Sequence, residues 1–172
     1  MLKKISITGP ESTGKSELAK QLAKHYYTVY VPEYAREHLK DIGRNYTLED
    51  IEKITKGQLL WEGQFEISTN KTLLFCDTDP LVTKIWSEVV FGKCPEWIEE
   101  MFIEHQYDLY LLCYPDLEWQ PDVLRENPDN REYLFQLYEE ALKAQKFLYA
   151  IIKGTGGQRL KNAVNFVDEI LA

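Results

Sequence analysis

Short apolar runs alternate along this chain with longer stretches in which apolar residues recur at every third or fourth position. A nearly continuous apolar run predicts a strand that is covered on both faces, and the longer period predicts an amphipathic helix. The expected strands are residues 4–8, 28–31, 73–76, 109–113 and 147–152. Helical periods separate them, and the last one covers residues 159–171. Because strands and helices alternate, we expect an α/β fold with a parallel sheet and right-handed crossovers.

The loop after the first expected strand has the G-x-x-x-x-G-K-[ST] spacing of a phosphate-binding loop, or P-loop. It consists of Gly9, Pro10, Glu11, Ser12, Thr13, Gly14, Lys15 and Ser16. In such a loop the glycines let backbone N–H groups converge on one phosphate, the lysine reaches the β- and γ-phosphates, and the hydroxyl can bind Mg²⁺. A glycine-rich turn without a ligand is the alternative. The strand before the loop and the helical stripe after it favour a site for a nucleoside triphosphate at a helix N-terminus.

Composition narrows the class of protein. The 172 residues carry a formal net charge of −8, and 44% of them are hydrophobic, which predicts one globular domain over residues 1–172. A negative chain without a long basic block argues against nucleic-acid and anionic-membrane partners. Cys76, Cys94 and Cys113 lack metal-binding spacing and predict thiols in a reducing compartment. We find no signal-peptide pattern or long apolar segment and expect a cytoplasmic protein.

Acidic residues follow two of the expected strands. Glu33 follows the second strand, and Asp77 and Asp79 follow the third. Because ligands of parallel sheets bind at the carboxyl ends of the strands, these side chains are expected near the P-loop. Asp77 is predicted to bind Mg²⁺ opposite Ser16, and Glu33 or Asp79 is predicted to accept the proton of a phosphoryl acceptor. Surface charges and helix caps are the alternatives, and Asp79 precedes Pro80 as an N-cap would.

Residues 117–131 are predicted to form a lid, since residues 119–131 are polar and rich in Pro and Asn. A lid arginine can stabilise the charge on a transferred phosphoryl group, and we assign this role to Arg125. A surface ion pair with Glu126 or Asp129 is the alternative for the lid arginines.

Several aromatic side chains and one amide predict the wall of an acceptor pocket. They are Tyr34, Gln58, Trp61, Phe65 and Trp86. Core packing is the alternative for the aromatic members, whereas Gln58 needs a polar partner if it is buried. An aromatic wall with a single amide fits an aromatic amide or a base.

Longer motifs indicate a family. They are ITGPESTGKSELAKQLA, VPEYARE, KGQ, FCDTDPLVTKIWSEVVFG, CPEWI, YDLYLLCYPD and W-x-x-D-x-x-R. By these motifs, which extend from Ile5 to about Arg159, the chain resembles the ribosylnicotinamide kinase domain of NadR-type NAD-biosynthesis proteins, a P-loop kinase among the AAA-like ATPase domains. The resemblance implies a five-stranded parallel sheet, ATP with Mg²⁺, and phosphorylation of nicotinamide riboside to nicotinamide mononucleotide.

Motif positions and resemblance together predict three groups of site residues. The nucleotide-binding group is Gly9, Glu11, Ser12, Thr13, Gly14, Lys15, Ser16 and Arg159. The substrate-binding group is Glu33, Tyr34, Arg36, Gln58, Trp61, Asp79, Trp86 and Asp122. The catalytic group is Lys15, Glu33, Asp77, Asp79 and Arg125.

The sequence lacks two features of the bifunctional relatives. It has no helix-turn-helix region and no H-x-G-H signature, so adenylyltransferase and regulatory activities are not implied. Val123 also stands in the lid where the resemblance leads us to expect glycine.

Two other functions remain as alternatives: a kinase for another nucleoside or nucleoside monophosphate, and a module that senses ATP or NAD without turnover. Turnover is favoured because all the expected catalytic and metal-binding residues are present: Lys15, Ser16, Asp77, Asp79 and Arg125. A GTPase is disfavoured because the segment DTDP is not D-x-x-G. The pyridinium cation of nicotinamide riboside suits an acidic site with an aromatic wall, and Gln58 would meet either its carboxamide or a ribose hydroxyl.

Overall fold

Five parallel strands form one sheet in the computed structural model of the chain, which describes residues 1–172. They are β1 (Lys3–Thr8), β2 (Val29–Val31), β3 (Leu73–Asp77), β4 (Leu109–Cys113) and β5 (Tyr149–Ile152). Their order in the sheet is β2-β3-β1-β4-β5, so β1 lies in the centre between β3 and β4. Every neighbouring pair is parallel. The expected α/β class with a five-stranded parallel sheet is confirmed.

Seven helices cover the two faces of this sheet. They are α1 (Lys15–His25), α2 (Tyr34–Leu39), α3 (Leu48–Ser68), α4 (Pro80–Phe91), α5 (Glu96–Glu104), α6 (Arg131–Gln145) and α7 (Gly156–Leu171). Alternate residues of each strand pack on opposite faces of the sheet. In β3, for example, Phe75 packs with α1 and α7, whereas Leu74 and Cys76 pack with α4, α5 and α6. Since both faces are covered, the strands are almost continuously apolar.

The start of β5 and the start of α7 differ from the sequence prediction by two or more residues. Strand β5 begins at Tyr149 and not at residue 147, because Lys146 adopts a left-handed conformation (φ 56°) that ends α6 and turns the chain. Phe147 fills the space after this turn, where its ring stacks on Tyr110 at 5.5 Å between centroids. Helix α7 begins at Gly156, one turn earlier than expected. No helix combines the length and the apolar character that crossing a membrane requires.

A buried polar clamp fixes the turn between β2 and α2. Gln58 of α3 is 3% exposed and accepts a hydrogen bond from the Tyr34 N–H (2.9 Å), while its amide nitrogen donates to the Pro32 carbonyl (3.3 Å). The ring of Tyr34 lies directly against Gly57, where an added Cβ would be 2.0 Å from Cε1 of the ring. The clamp therefore sets the position of Glu33, which lies between the two clamped residues in sequence.

We expect Gly57→Ala to lower the free energy of unfolding by about 1–3 kcal/mol, because the new methyl group overlaps the Tyr34 ring and displaces it. Gly63 in the same helix is a matched control: an added Cβ there meets nothing within 4 Å, so Gly63→Ala should gain up to about 1 kcal/mol from helix propensity. Urea unfolding measures both. Equal stabilisation by the two substitutions would contradict the close packing of Tyr34 on Gly57.

Candidate active site

The P-loop connects the central strand β1 to α1 and has the backbone of a phosphate cradle. Gly9 has φ +128°, and a Cβ added there would lie 2.9 Å from the Cys113 carbonyl oxygen, so only glycine fits against β4. Gly14 is left-handed (φ +77°) at the N-cap of α1. The loop thus leaves its N–H groups near a helix N-terminus, where an anion binds favourably.

Arg159 supports this loop from behind. It is 5% exposed, and its guanidinium donates to the Thr13 carbonyl (2.7 Å), the Tyr114 carbonyl (3.1 Å) and the Asp116 carboxylate (2.8 Å). These contacts join the P-loop to the segment after β4 and do not place Arg159 on either of the cavities described next. In this structure Arg159 supports the P-loop, and its direct contact with the nucleotide stays a prediction.

Two neighbouring cavities open at the carboxyl edge of the sheet. The phosphate cavity is lined by the P-loop and by four cationic side chains: Lys15, Lys20, Arg36 and Arg125. The apolar cavity lies beside it, and its wall includes Val82, Ile85, Trp86, Leu124, Leu134 and Tyr138. Four residues line both: Glu11, Lys15, Glu33 and Leu124. A polar site for an anion is thus continuous with an apolar site for a ring.

Glu33 lies at the junction of the two cavities. It occupies the N-cap position of α2, and its carboxylate accepts a hydrogen bond from Arg36 Nε at 3.0 Å. Arg36 also donates to both carboxylate oxygens of Asp122 in the lid, at 3.1 and 3.2 Å. Asp122 thus attaches the lid to Arg36 and, unlike Glu33, lines neither cavity. Its predicted contact with the substrate stays a prediction.

Asp77 ends β3 close to Ser16. Its side chain is 2% exposed, and the Oδ1 atom has no hydrogen-bond partner. Burial and the charge of Glu33 raise its pKa to about 6, although the Ser16 hydroxyl and the Lys15 ammonium favour the charged form. A buried carboxylate oxygen without a partner, beside a hydroxyl, is a donor set that suits a hard cation such as Mg²⁺. The residues present therefore fit the predicted metal.

Asp79 has a structural role that sequence reasoning offered only as an alternative. It is the N-cap of α4, where its carboxylate accepts from the Val82 N–H (2.9 Å), the Thr8 hydroxyl (3.3 Å) and the Ser6 hydroxyl. It is 2% exposed, burial raises its pKa to about 6, and it lines neither cavity. This arrangement favours the helix-cap alternative for Asp79, and its role as a base or substrate contact stays a prediction.

One of the residues predicted to form the aromatic wall lies at the apolar cavity. Trp86 lines the apolar cavity, but Tyr34, Gln58 and Trp61 do not. The Tyr34 ring packs edge-on against Trp61, 4.8 Å between centroids, and Gln58 is occupied by backbone groups. These three residues stabilise the turn that carries Glu33. Leu134 and Tyr138 were missed, although their four-residue spacing on α6 marks a helix face.

The lid, residues 117–131, contains no helix or strand before α6 begins at Arg131. Its backbone is hydrogen-bonded directly to side chains of the P-loop. The Glu11 carboxylate accepts from the backbone N–H groups of Glu126 (3.0 Å) and Asn127, and the Ser12 hydroxyl accepts from the Gln120 N–H (2.9 Å). Glu11 and Ser12 line the phosphate cavity as predicted, yet their side chains hold the lid.

Two further lid residues bear on the sequence predictions. Arg125 lines the phosphate cavity, which agrees with its predicted place beside the phosphates. The Val123 side chain is 95% exposed, so the departure from glycine introduces no packing conflict in this arrangement.

The chain is similar to known proteins over most of its length. The family model described as an AAA domain matches residues 4–159. The trifunctional NAD biosynthesis/regulator protein NadR of Salmonella typhimurium is 26% identical over 174 residues, which cover 97% of this chain and 42% of that protein. The Escherichia coli NadR protein is 27% identical over 148 residues, with 79% and 35% covered. The chain thus spans less than half the length of these relatives.

Solved structures show the same fold. A NadR protein in complex with NR superimposes with a TM-score of 0.83 and 21% identity, over 98% of this chain and 49% of that one. Deoxyadenosine kinase from M. mycoides with bound dATP gives a TM-score of 0.61 and 15% identity, over 96% and 99%. The P-loop kinase fold and the resemblance to NadR proteins are confirmed. Because the match to the AAA domain model extends over most of this chain, the chain belongs to the AAA domain family.

Proposed function

We propose that this protein transfers the γ-phosphoryl group of ATP to the 5′-hydroxyl of nicotinamide riboside, giving ADP and nicotinamide mononucleotide in NAD salvage. One observation carries the proposal: Glu33 is a carboxylate that lines both the cationic phosphate cavity and the apolar cavity. A group in that position can receive the acceptor proton next to the phosphate that is transferred. The similarity to NadR proteins supports nicotinamide riboside as the acceptor.

The cationic groups account for the ATP side of the reaction. Lys15 Nζ donates to the Pro10 carbonyl at 2.7 Å, within the P-loop, and can exchange this contact for the β- and γ-phosphate oxygens. Arg125 approaches the same cavity from the lid and stabilises the charge that develops on the phosphoryl group. Ser16 and Asp77 would hold Mg²⁺, which when bound neutralises charge on the phosphate oxygens.

Glu33 accounts for the acceptor side. The oxygen of the 5′-hydroxyl forms a bond to the γ-phosphorus, the bond from that phosphorus to the β,γ-bridging oxygen breaks, and the hydroxyl proton passes to Glu33 and then to solvent. Arg36 orients the carboxylate through its Nε contact at 3.0 Å. Because Arg36 also binds Asp122, closure of the lid and alignment of Glu33 are coupled.

A kinase for another nucleoside is the second candidate, favoured by the fold shared with deoxyadenosine kinase over 99% of that chain. Sensing without turnover is less well supported, because Lys15, Arg125 and Glu33 all line the phosphate cavity.

A panel of acceptors tests the assignment. With ATP held saturating, kcat/KM for nicotinamide riboside should exceed the values for uridine, cytidine and thymidine by at least tenfold, measured by ADP release with Lys15→Ala as the blank. Faster turnover of any of these nucleosides would transfer the assignment to the second candidate.

Replacement of Glu33 by Gln should lower kcat by about 10²–10⁴-fold, the usual contribution of a positioned base, with little change in the KM for ATP. Glu37→Gln is the matched control, because it removes the same charge from an exposed position of the same helix. A Glu33→Gln enzyme with normal kcat would show that the hydroxyl is deprotonated without this carboxylate.

Asp77→Asn should raise the melting temperature at pH 7.5 by several degrees while it reduces Mg²⁺-dependent turnover. The raised folded-state pKa of about 6 means that folding favours the protonated Asp77 carboxyl. The protonated carboxyl therefore contributes stability below about pH 4, and this contribution is lost as pH rises through 6. Because asparagine does not ionise, the Asp77→Asn protein does not lose this stability at neutral pH. The stabilisation should therefore shrink at pH 4.5, as measured by thermal unfolding with a chelator present. Equal shifts at both pH values would contradict it.

A further inference from the structure

We propose that Glu126, a lid carboxylate at the apolar cavity, is a specificity-determining residue that favours an acceptor with a cationic ring over a neutral one. The inference rests on the proposed function in that the acceptor is a riboside bound in this cavity. It assigns discrimination between ring charges to one side chain that the sequence motifs do not single out.

The side chain of Glu126 is positioned by a chain of two hydrogen bonds. Trp86 Nε1 donates to the Tyr46 hydroxyl oxygen at 3.1 Å, and the Tyr46 hydroxyl donates to Glu126 Oε2 at 2.6 Å. The Tyr46 and Trp86 rings also pack edge to face, 5.1 Å between centroids. Burial and the Glu126 hydrogen bond raise the pKa of Tyr46 to about 12, so the phenol remains a neutral donor. Three segments that are distant in sequence thus meet at one wall of the cavity.

The backbone of Glu126 is fixed at the same time by the P-loop. Its N–H group donates to both carboxylate oxygens of Glu11, at 3.0 Å each. Glu126 is therefore attached through its backbone to Glu11 of the P-loop and through its carboxylate to Tyr46, which in turn accepts a hydrogen bond from Trp86. Because Glu126 is held at both its backbone and its side chain, less conformational entropy is lost when an acceptor binds beside it.

Its partners distinguish Glu126 from the other acidic groups of the cavity. The Glu33 carboxylate is paired with the guanidinium of Arg36. The Glu11 carboxylate is engaged by two lid N–H groups. The protein partner of the Glu126 side chain is a neutral phenol, so its negative charge is not compensated by a cation. A cationic ring bound against Trp86 would supply that compensation, and a neutral ring would not.

The test compares nicotinamide riboside with its reduced form, which has nearly the same shape without the pyridinium charge. In Glu126→Gln, kcat/KM for the oxidised riboside should fall about fivefold to twentyfold, the range expected for an exposed carboxylate that the ligand covers. The value for the reduced riboside and the KM for ATP should change by less than about twofold. Tyr46→Phe keeps the charge but loses its positioning, and it should give a smaller fall of the same kind.

Glu118→Gln is the control, because it removes one exposed lid charge away from both cavities and should leave the ratio between the two ribosides unchanged. Equal effects of Glu126→Gln on both ribosides, or none on either, would overturn the inference. Calorimetric binding of both ribosides with a non-hydrolysable ATP analogue gives a readout independent of turnover. Preferential binding of the oxidised form that depends on Glu126, without phosphorylation, would refute the proposed function and retain this inference; binding of neither riboside would overturn both.

Discussion

The site depends on the way in which the P-loop backbone is held from two sides. Behind the loop, the buried guanidinium of Arg159 binds the carbonyl of Thr13 and joins it to the segment that follows β4. In front, Glu11 binds N–H groups of the lid. A loop with this backbone cannot stabilise itself through regular secondary structure, so side chains from distant parts of the chain satisfy its polar groups. The lid, the phosphate cavity and the apolar cavity are all positioned relative to this one loop.

At the buried Asp77 carboxyl, the negative charge that would bind a metal ion also destabilises the fold. Burial raises the pKa of Asp77 to about 6, and its Oδ1 atom has no protein partner. A carboxylate left in this condition destabilises the fold at neutral pH, and it gains a favourable interaction when a cation binds. Asp79, two residues later, is equally buried but is satisfied by three donors. The contrast separates a carboxylate suited to a metal from one that stabilises a helix end.

Local sequence patterns predicted those parts of the molecule that local interactions determine. The P-loop spacing and the apolar runs gave the central strands and the phosphate cavity, because period and glycine position act over a few residues. The lining of the apolar cavity was predicted less well. Gln58 and Trp61 share a helix face with core residues, and only the packing of Tyr34 on Gly57 shows that this face supports the turn before α2. The lid contacts could not be predicted, since Glu126 meets Glu11 across 115 positions.

The most direct test of the central claim is the crystal structure of this protein with nicotinamide riboside and a non-hydrolysable ATP analogue. Our account predicts the 5′-oxygen within about 3 Å of a Glu33 carboxylate oxygen, the γ-phosphate beside Lys15, and the nicotinamide ring in the apolar cavity next to Trp86. A riboside bound with its 5′-oxygen remote from Glu33, or an adenine ring in the apolar cavity, would contradict it.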